Sequence, residues 1–154
     1  MGIRLEVAGD VRLPDTYDFE ALTRLPGQIE DVSTVAPGRE GGAVRLAAIL
    51  KTVQPQPGAR FITIEAAEGY SASVPLEAVA DQAIILYRQG DGPIPEAKGG
   101  PLRFLIPDVA ACKTAEVDAC ANVKHLSRLV LSREPGQDTR PATKRQHEAL
   151  HARE

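Results

Sequence analysis

The sequence predicts an α+β fold, built as a mixed β-sheet domain with short helices. About seven segments show the two-residue alternation or the continuous apolar run that is typical of β-strands. About three short segments have helical signals, and they do not alternate regularly with the strands, which argues against a parallel βαβ arrangement. The 154 residues, of which 43% are hydrophobic, can bury one core but are too few for two ordinary domains.

The predicted strands follow one another with turn residues between them. Residues 3–13 alternate apolar and polar side chains, and Gly9 interrupts them with a bulge or a short hairpin. Residues 83–87 are continuously apolar, so this strand is expected to be central in its sheet. The seven predicted strands are residues 3–13, 29–35, 60–66, 69–74, 83–87, 102–106 and 126–131.

Three helices are predicted from their start signals and apolar spacing. Asp18 is a suitable N-cap for a helix over residues 19–25. Residues 44–53 place apolar side chains at helical spacing. Pro75 suits the first turn of a short helix over residues 76–80.

Composition excludes several classes of function. The net charge of −3 lacks the basic excess of a general nucleic-acid binder, and the 4% aromatic content without Trp argues against stacking on single strands. No apolar run approaches the roughly 18 residues of a membrane span. The first residues show no signal peptide, so the expected compartment is the cytoplasm, or the periplasm if a leader has been removed.

The chain is predicted to divide near residue 132. Residues 1–132 form the folded domain, and residues 133–154 are charged and poor in apolar side chains. We expect this tail to be partly disordered, with one helix near residues 143–152. Residues 107–124 form a long connection of small and polar residues, and connections of this length are often functional.

A motif between Asp91 and Pro107 suggests a family. An Asp91-Gly92-Pro93-Ile94-Pro95 turn precedes a strand that begins Gly99-Gly100-Pro101-Leu102-Arg103. Together they resemble a turn and strand found in the sulfite-oxidase class of molybdopterin-dependent oxidoreductases. Other similar segments, at residues 7–11, 18–26, 42–46, 69–76 and 123–124, follow in the family's order. The resemblance implies the sulfite-oxidase molybdopterin-binding fold over residues 3–132, a molybdopterin cofactor and, if the chain is active, oxygen-atom transfer with two-electron redox.

The sequence departs from this family at the position of the metal ligand. Members carry a molybdenum-ligating cysteine, but the corresponding residues 30–36 contain none. The hydroxyls of Ser33 and Thr34 are poor replacements for a soft thiolate. Lys98 replaces a histidine that the family often has, and Asp108 replaces a glycine. We therefore expect a small relative that can hold the pterin, with molybdenum doubtful and turnover low or absent.

Four basic residues are the predicted cofactor-binding set, because a pterin cofactor ends in phosphate. Arg39 lies beside glycines that can present backbone N–H groups, and lysines could add charge. The alternative is that these are ordinary solvated loop residues. The set is Arg39, Lys98, Lys113 and Lys124.

Two further patterns could hold a metal, and each has a simpler explanation. Residues 147–151 read His-Glu-Ala-Leu-His, the zinc-protease string, but no third ligand follows and no apolar face surrounds it. Cys112, Cys120 and His125 match no standard zinc spacing, so buried thiols or a disulfide are the alternatives.

Two hypotheses of function follow. The first is a molybdopterin-binding domain of the oxidoreductase class that takes an anionic pterin or a related small ligand. The second is a cofactor-free module on the same fold that binds a protein partner or serves as an accessory.

Overall fold

Two β-sheets and three short α-helices make up the part of the chain that the computed structural model describes, residues 4–36, 39–67, 69–106 and 122–136. The mixed sheets with few helices confirm the predicted α+β class. In chain order the elements are β1 (Leu5–Gly9), β2 (Asp15–Tyr17), α1 (Phe19–Arg24), β3 (Gln28–Ile29), β4 (Gly42–Arg45), α2 (Leu46–Val53), β5 (Phe61–Ala66), β6 (Ser71–Pro75), α3 (Leu76–Val79), β7 (Ile84–Arg88), β8 (Arg103–Leu105) and β9 (Leu126–Ser132), with 3-10 helices at Val32–Thr34 and Glu96–Lys98.

The larger sheet has the strand order β2-β1-β9-β5-β6 and the smaller has the order β3-β4-β7-β8. The strands β1 and β9 are parallel, and the other neighbours are antiparallel. Strand β7 lies between β4 and β8, so its prediction as a central strand is confirmed. The pairing of β1 with β9 brings the two ends of the domain together in one sheet.

The predicted helices form, with one shifted start. The Asp18 carboxylate accepts a hydrogen bond from Ala21 N–H at 2.8 Å, which confirms the predicted N-cap of α1. The second helix was expected from residue 44, but Gly42–Arg45 pairs with β7 as β4, so α2 begins only at Leu46. Pairing in the sheet satisfies backbone groups that a longer helix would otherwise have used.

Two strand predictions near the N-terminus were wrong in extent. Val11 makes only an isolated bridge to Pro55, and the second strand, β2, follows at Asp15–Tyr17 in antiparallel pairing with β1. Residues 29–35 were expected to be one strand, but β3 ends at Ile29. The Asp31 side chain there accepts from Ser33 N–H at 3.0 Å and caps a 3-10 turn. A short side chain that binds its own backbone competes with sheet pairing.

Two hydrophobic clusters stabilise the domain. The larger one lies between the sheets and contains buried residues of both, together with the buried faces of the three helices. The smaller one packs on the other face of the four-stranded sheet and consists of Ile29, Val32, Ala36, Ala43, Ile84, Leu86, Ile94 and Leu105. This smaller cluster forms one wall of the candidate site described below.

Several predictions concern residues outside the described part of the chain. These are the connection with Cys112, Lys113 and Cys120, and the tail with its His-Glu-x-x-His string. The first tail residues are described, and Gly136 N–H donates a hydrogen bond to Ser73 Oγ at 2.9 Å. The domain boundary at residue 132 stays a prediction. None of the described helices has the length and apolar character needed to cross a membrane.

Candidate functional site

A cavity of about 290 Å³ lies beside the four-stranded sheet, where the turn before β8 approaches the residues before β9. Among the described residues, three cationic side chains and one carboxylate line it, so this part of the wall carries a net positive charge. Such a wall favours an anionic ligand. The lining residues are Glu40, Leu86, Gln89, Ile94, Ala97, Lys98, Arg103 and Lys124.

The turn that carries Lys98 is closed by three backbone hydrogen bonds. Pro95 C=O accepts from Lys98 N–H at 2.9 Å and from Gly100 N–H at 3.0 Å, and Glu96 C=O accepts from Gly99 N–H at 3.0 Å. Gly99 ends the 3-10 helix with a φ of 90°, a conformation that glycine adopts most easily. The turn leaves the Lys98 side chain exposed at the rim of the cavity.

Gly99 also provides the space in which the other two cationic side chains meet. A Cβ atom added to Gly99 would lie 2.9 Å from Lys124 Cγ, closer than real Cβ contacts allow, and 3.1 Å from Arg103 Cδ, a tight contact. The stems of Lys124 and Arg103 therefore both lie against the glycine. In addition, Arg103 Nη1 donates a hydrogen bond to Lys98 C=O at 3.2 Å. Gly99 thus leaves room for the stems of two of the cations, and the third, Lys98, precedes it in the chain.

Sheet pairing fixes the two stems. Arg103 lies opposite Leu86 in the β7–β8 pair. Lys124 follows Val123, which exchanges two backbone hydrogen bonds with Phe104 at 2.8 and 2.9 Å. Both cations are therefore held by the edge of the smaller sheet rather than by free loops.

The inner wall of the cavity is apolar. Leu86 is 4% exposed and Ile94 is 6% exposed, and both belong to the smaller hydrophobic cluster. Val32 and Ala36, from the segment where the resemblance would place a thiolate, are buried in the same cluster. The cavity therefore combines an apolar wall with a cationic rim, which suits a ligand with a ring and an anionic end.

The segment of residues 30–36 is held by polar contacts as well. The Ser33 hydroxyl and the Ser33 backbone N–H both bind the Asp31 carboxylate, and these hydrogen bonds hold the pKa of Asp31 below its usual value. Glu30 pairs with Arg88 at 3.2 Å. In this segment Asp31 thus caps the 3-10 turn, Glu30 forms an ion pair, and the apolar side chains pack in the smaller cluster.

The structure brings together two of the four predicted cofactor-binding residues. Lys98 and Lys124 line the same cavity. Arg39 is half-buried and is not among the lining residues, although its neighbour Glu40 is. Lys113 lies outside the described residues. The roles of all four stay predictions.

Arg103 lines the cavity but was not among the residues predicted from the sequence. It is the last residue of the Gly-Gly-Pro-Leu-Arg motif that carried the family resemblance, so the sequence contained the signal. Its alternation within a short strand gave no indication of which neighbours it would meet, because those come from residues 98–99 and 124.

The described residues fit the anionic end of a pterin cofactor better than they fit its metal. No group of three or more His, Cys, Asp or Glu side chains in the described ranges is arranged to hold a metal ion. Residues 30–36 contain no thiol. The described residues therefore supply charge for a phosphate but no sulphur ligand for molybdenum.

A larger cavity of about 480 Å³ lies on the outer face of the five-stranded sheet. Its described lining contains Glu65 and Glu134 but neither lysine nor arginine. Arg128 lies near this face and pairs with Glu6 at 3.4 Å and with Glu65 at 3.9 Å. This cavity is therefore a poorer place for an anion than the basic one.

Comparison with known proteins identifies a family and a similar fold. Residues 41–139 match the family described as "Oxidoreductase molybdopterin binding domain". The fold is similar to that of the sulfane dehydrogenase SoxCD from Paracoccus pantotrophus, with a TM-score of 0.62 and 20% sequence identity. That match covers 86% of this chain but only 38% of the SoxCD chain. No curated protein matches the sequence.

Proposed function

This chain belongs to the oxidoreductase molybdopterin-binding domain family, and on that premise we propose that it binds the anionic end of a molybdopterin cofactor in the basic cavity. A single observation supports this placement. Lys98, Arg103 and Lys124 come from three separate segments and line one cavity, and the stems of Arg103 and Lys124 both lie against Gly99. Among the described lining residues these three cations outnumber the one carboxylate, that of Glu40, and they complement the charge of a phosphate monoester.

Each part of the cavity has a role in this proposal. The planar guanidinium of Arg103 can donate two hydrogen bonds to one phosphate, whereas the lysine ammonium groups act as compact charges. Leu86 and Ile94 supply the apolar wall against which a ring can pack.

We also propose that this chain holds the pterin without a firm grip on the metal. Molybdenum, when bound, supplies oxygen-atom transfer coupled to two-electron redox. The described residues contribute no thiolate to it, so turnover is expected to be low or absent. Replacing Cys112 and Cys120 with serine tests whether either thiol takes the missing role, because metal content would then fall with the substitution.

Titration with phenyl phosphate tests the proposed site, because this probe has both a ring and a phosphate monoester. We expect isothermal titration calorimetry to show one site, with tighter binding than inorganic phosphate alone. Lys124→Ala removes one charge-assisted hydrogen bond of about 1.5–3 kcal/mol, so the Kd should rise at least about tenfold. The matched control is Lys51→Ala, on the exposed face of α2, which should leave the Kd within about twofold, in the range usual for surface substitutions.

Two results would contradict this proposal. One is a wild-type chain that does not bind phenyl phosphate. The other is a Lys51→Ala variant that loses as much affinity as Lys124→Ala, since the binding would then reflect overall charge. Either result favours the second hypothesis, a cofactor-free module that binds a protein partner.

A further inference from the structure

His125 adopts an unusual backbone conformation at the edge of the basic cavity. Its φ is 54°, in the left-handed region that residues other than glycine seldom occupy. The residue directly follows Lys124, which lines the cavity, and directly precedes β9. A residue held in this conformation is held there by its surroundings, so its contacts are informative.

Three hydrogen bonds extend from His125. Its N–H donates to Gly99 C=O at 2.7 Å, and its C=O accepts from Ala67 N–H at 2.9 Å. Its ring Nδ1 lies 2.8 Å from Gly100 C=O. A carbonyl oxygen only accepts, so Nδ1 carries the hydrogen, and a neutral ring is the Nδ1–H tautomer.

We propose that His125 is the positioning residue of the basic cavity, an inference that rests on the proposed function. The side chain and backbone of this one residue bind two consecutive carbonyl groups, those of Gly99 and Gly100. Lys98 precedes these glycines, and the stems of Arg103 and Lys124 lie against Gly99. The His125 side chain thereby sets the distance between the Lys98 turn and Lys124 without touching the ligand.

Two substitutions separate the side-chain hydrogen bond from the backbone conformation. His125→Asn keeps a donor, because asparagine Nδ2 occupies the same position along the side chain as histidine Nδ1, and asparagine tolerates a positive φ. His125→Gly accepts the same φ and keeps the backbone N–H, but it has no side-chain donor. A purely structural role for the conformation predicts that both variants behave like the wild type in ligand binding.

The experiment measures phenyl phosphate binding by calorimetry for the wild type and both variants, with circular dichroism to establish that each is folded. We expect His125→Asn to keep the Kd within about threefold and His125→Gly to raise it about tenfold, the loss expected for one positioning hydrogen bond. In parallel, nitrogen-15 NMR of the histidine rings should show the Nδ1–H tautomer for His125. This second measurement uses the wild-type chain, so it applies even if His125→Gly does not fold.

The outcomes distinguish the inference from the proposed function. A wild type that binds while His125→Gly binds equally well overturns the positioning role and leaves the proposed function intact. An Nε2–H tautomer also overturns it, and so does a His125→Asn variant as weak as His125→Gly. A wild type that binds no phenyl phosphate overturns the proposed function, and the positioning role with it.

Discussion

Substitution of Gly99 by alanine probes the arrangement of the basic cavity directly. Two effects are expected at this position. The φ of 90° is unfavourable for a residue with a Cβ atom, and the new methyl group would lie 2.9 Å from Lys124 Cγ and 3.1 Å from Arg103 Cδ. The first effect acts on stability, and the second pushes apart two of the three cations.

The structure offers a matched control for the backbone effect. Gly69 has a φ of 95°, but a Cβ atom there would meet no atom of the described residues within 4 Å. Both alanine variants should therefore lose about 1–2 kcal/mol from the left-handed conformation. The gain from restricting the unfolded chain, about 0.4–1 kcal/mol, offsets part of this loss in both. A net loss near 1 kcal/mol in each, measured by urea denaturation, isolates the shared backbone term.

Ligand affinity should then differ between the two variants. Gly99→Ala displaces at least one cationic stem, and loss of one charge-assisted contact of about 1.5–3 kcal/mol raises the Kd for phenyl phosphate roughly 10- to 100-fold. Gly69→Ala should leave that Kd unchanged. Calorimetry of both variants is the assay. A Gly99→Ala chain that binds as tightly as the wild type would show that Gly99 does not position the cations, and so would an equal loss of affinity in Gly69→Ala.

Three further predictions concern stability and ionisation. Burial raises the pKa of Tyr17 above 10.0, so stability is full below about pH 10 and falls as the pH rises through the raised pKa. The Tyr17 hydroxyl is buried without a hydrogen-bond partner in the described chain. Tyr17→Phe should therefore be as stable as the wild type at pH 7 or more stable by up to about 1 kcal/mol in urea denaturation, and its stability should depend less on alkaline pH. A clear loss of stability at pH 7 contradicts this. The carboxylate of Asp31 has a lowered pKa, so the stability that it contributes is present above its usual pKa and is lost as the pH falls through the lowered one. Ser33→Ala should raise the pKa of Asp31 in a carbon-13 NMR titration. An unchanged pKa would show that the Ser33 hydroxyl does not contribute to the shift. Gly42→Ala would bring a methyl group against the Arg88 guanidinium, 2.7 Å from Cζ, but this flexible end can move, so the cost should stay below about 1 kcal/mol, and a loss above about 2 kcal/mol would mean that the guanidinium is fixed.

The local signals in the sequence predicted much of the fold. Asp18 caps its helix, the continuous apolar run at residues 83–87 lies largely in the central strand β7, and β5 pairs with β6 as adjacent strands do. Each of these features depends on neighbours in the chain. The start of α2 was misplaced because residues 44 and 45 were included in the helix, whereas they pair with the distant strand β7, which the local pattern does not show.

The candidate site was also only partly predictable, because its residues come together through contacts between distant parts of the chain. The family resemblance drew attention to Lys98 and Lys124, and the structure places both in one cavity. The position of Arg103 beside Lys124 depends on the absence of a side chain at Gly99 and on the backbone hydrogen bonds between Phe104 and Val123. Neither contact can be read from the sequence pattern. The parallel pairing of β1 with β9 is likewise a long-range choice that local propensity does not determine.

The most direct test of the account is the amount of pterin that the chain carries after production in a host that synthesises the cofactor. The measurement is the fluorescence of oxidised pterin released from the purified protein, with elemental analysis of molybdenum on the same sample. The account predicts pterin close to one per wild-type chain, strongly reduced pterin in a Lys98→Ala, Arg103→Ala and Lys124→Ala triple variant, and molybdenum well below the pterin content. A wild-type chain without pterin, or a triple variant that retains it in full, would contradict the account.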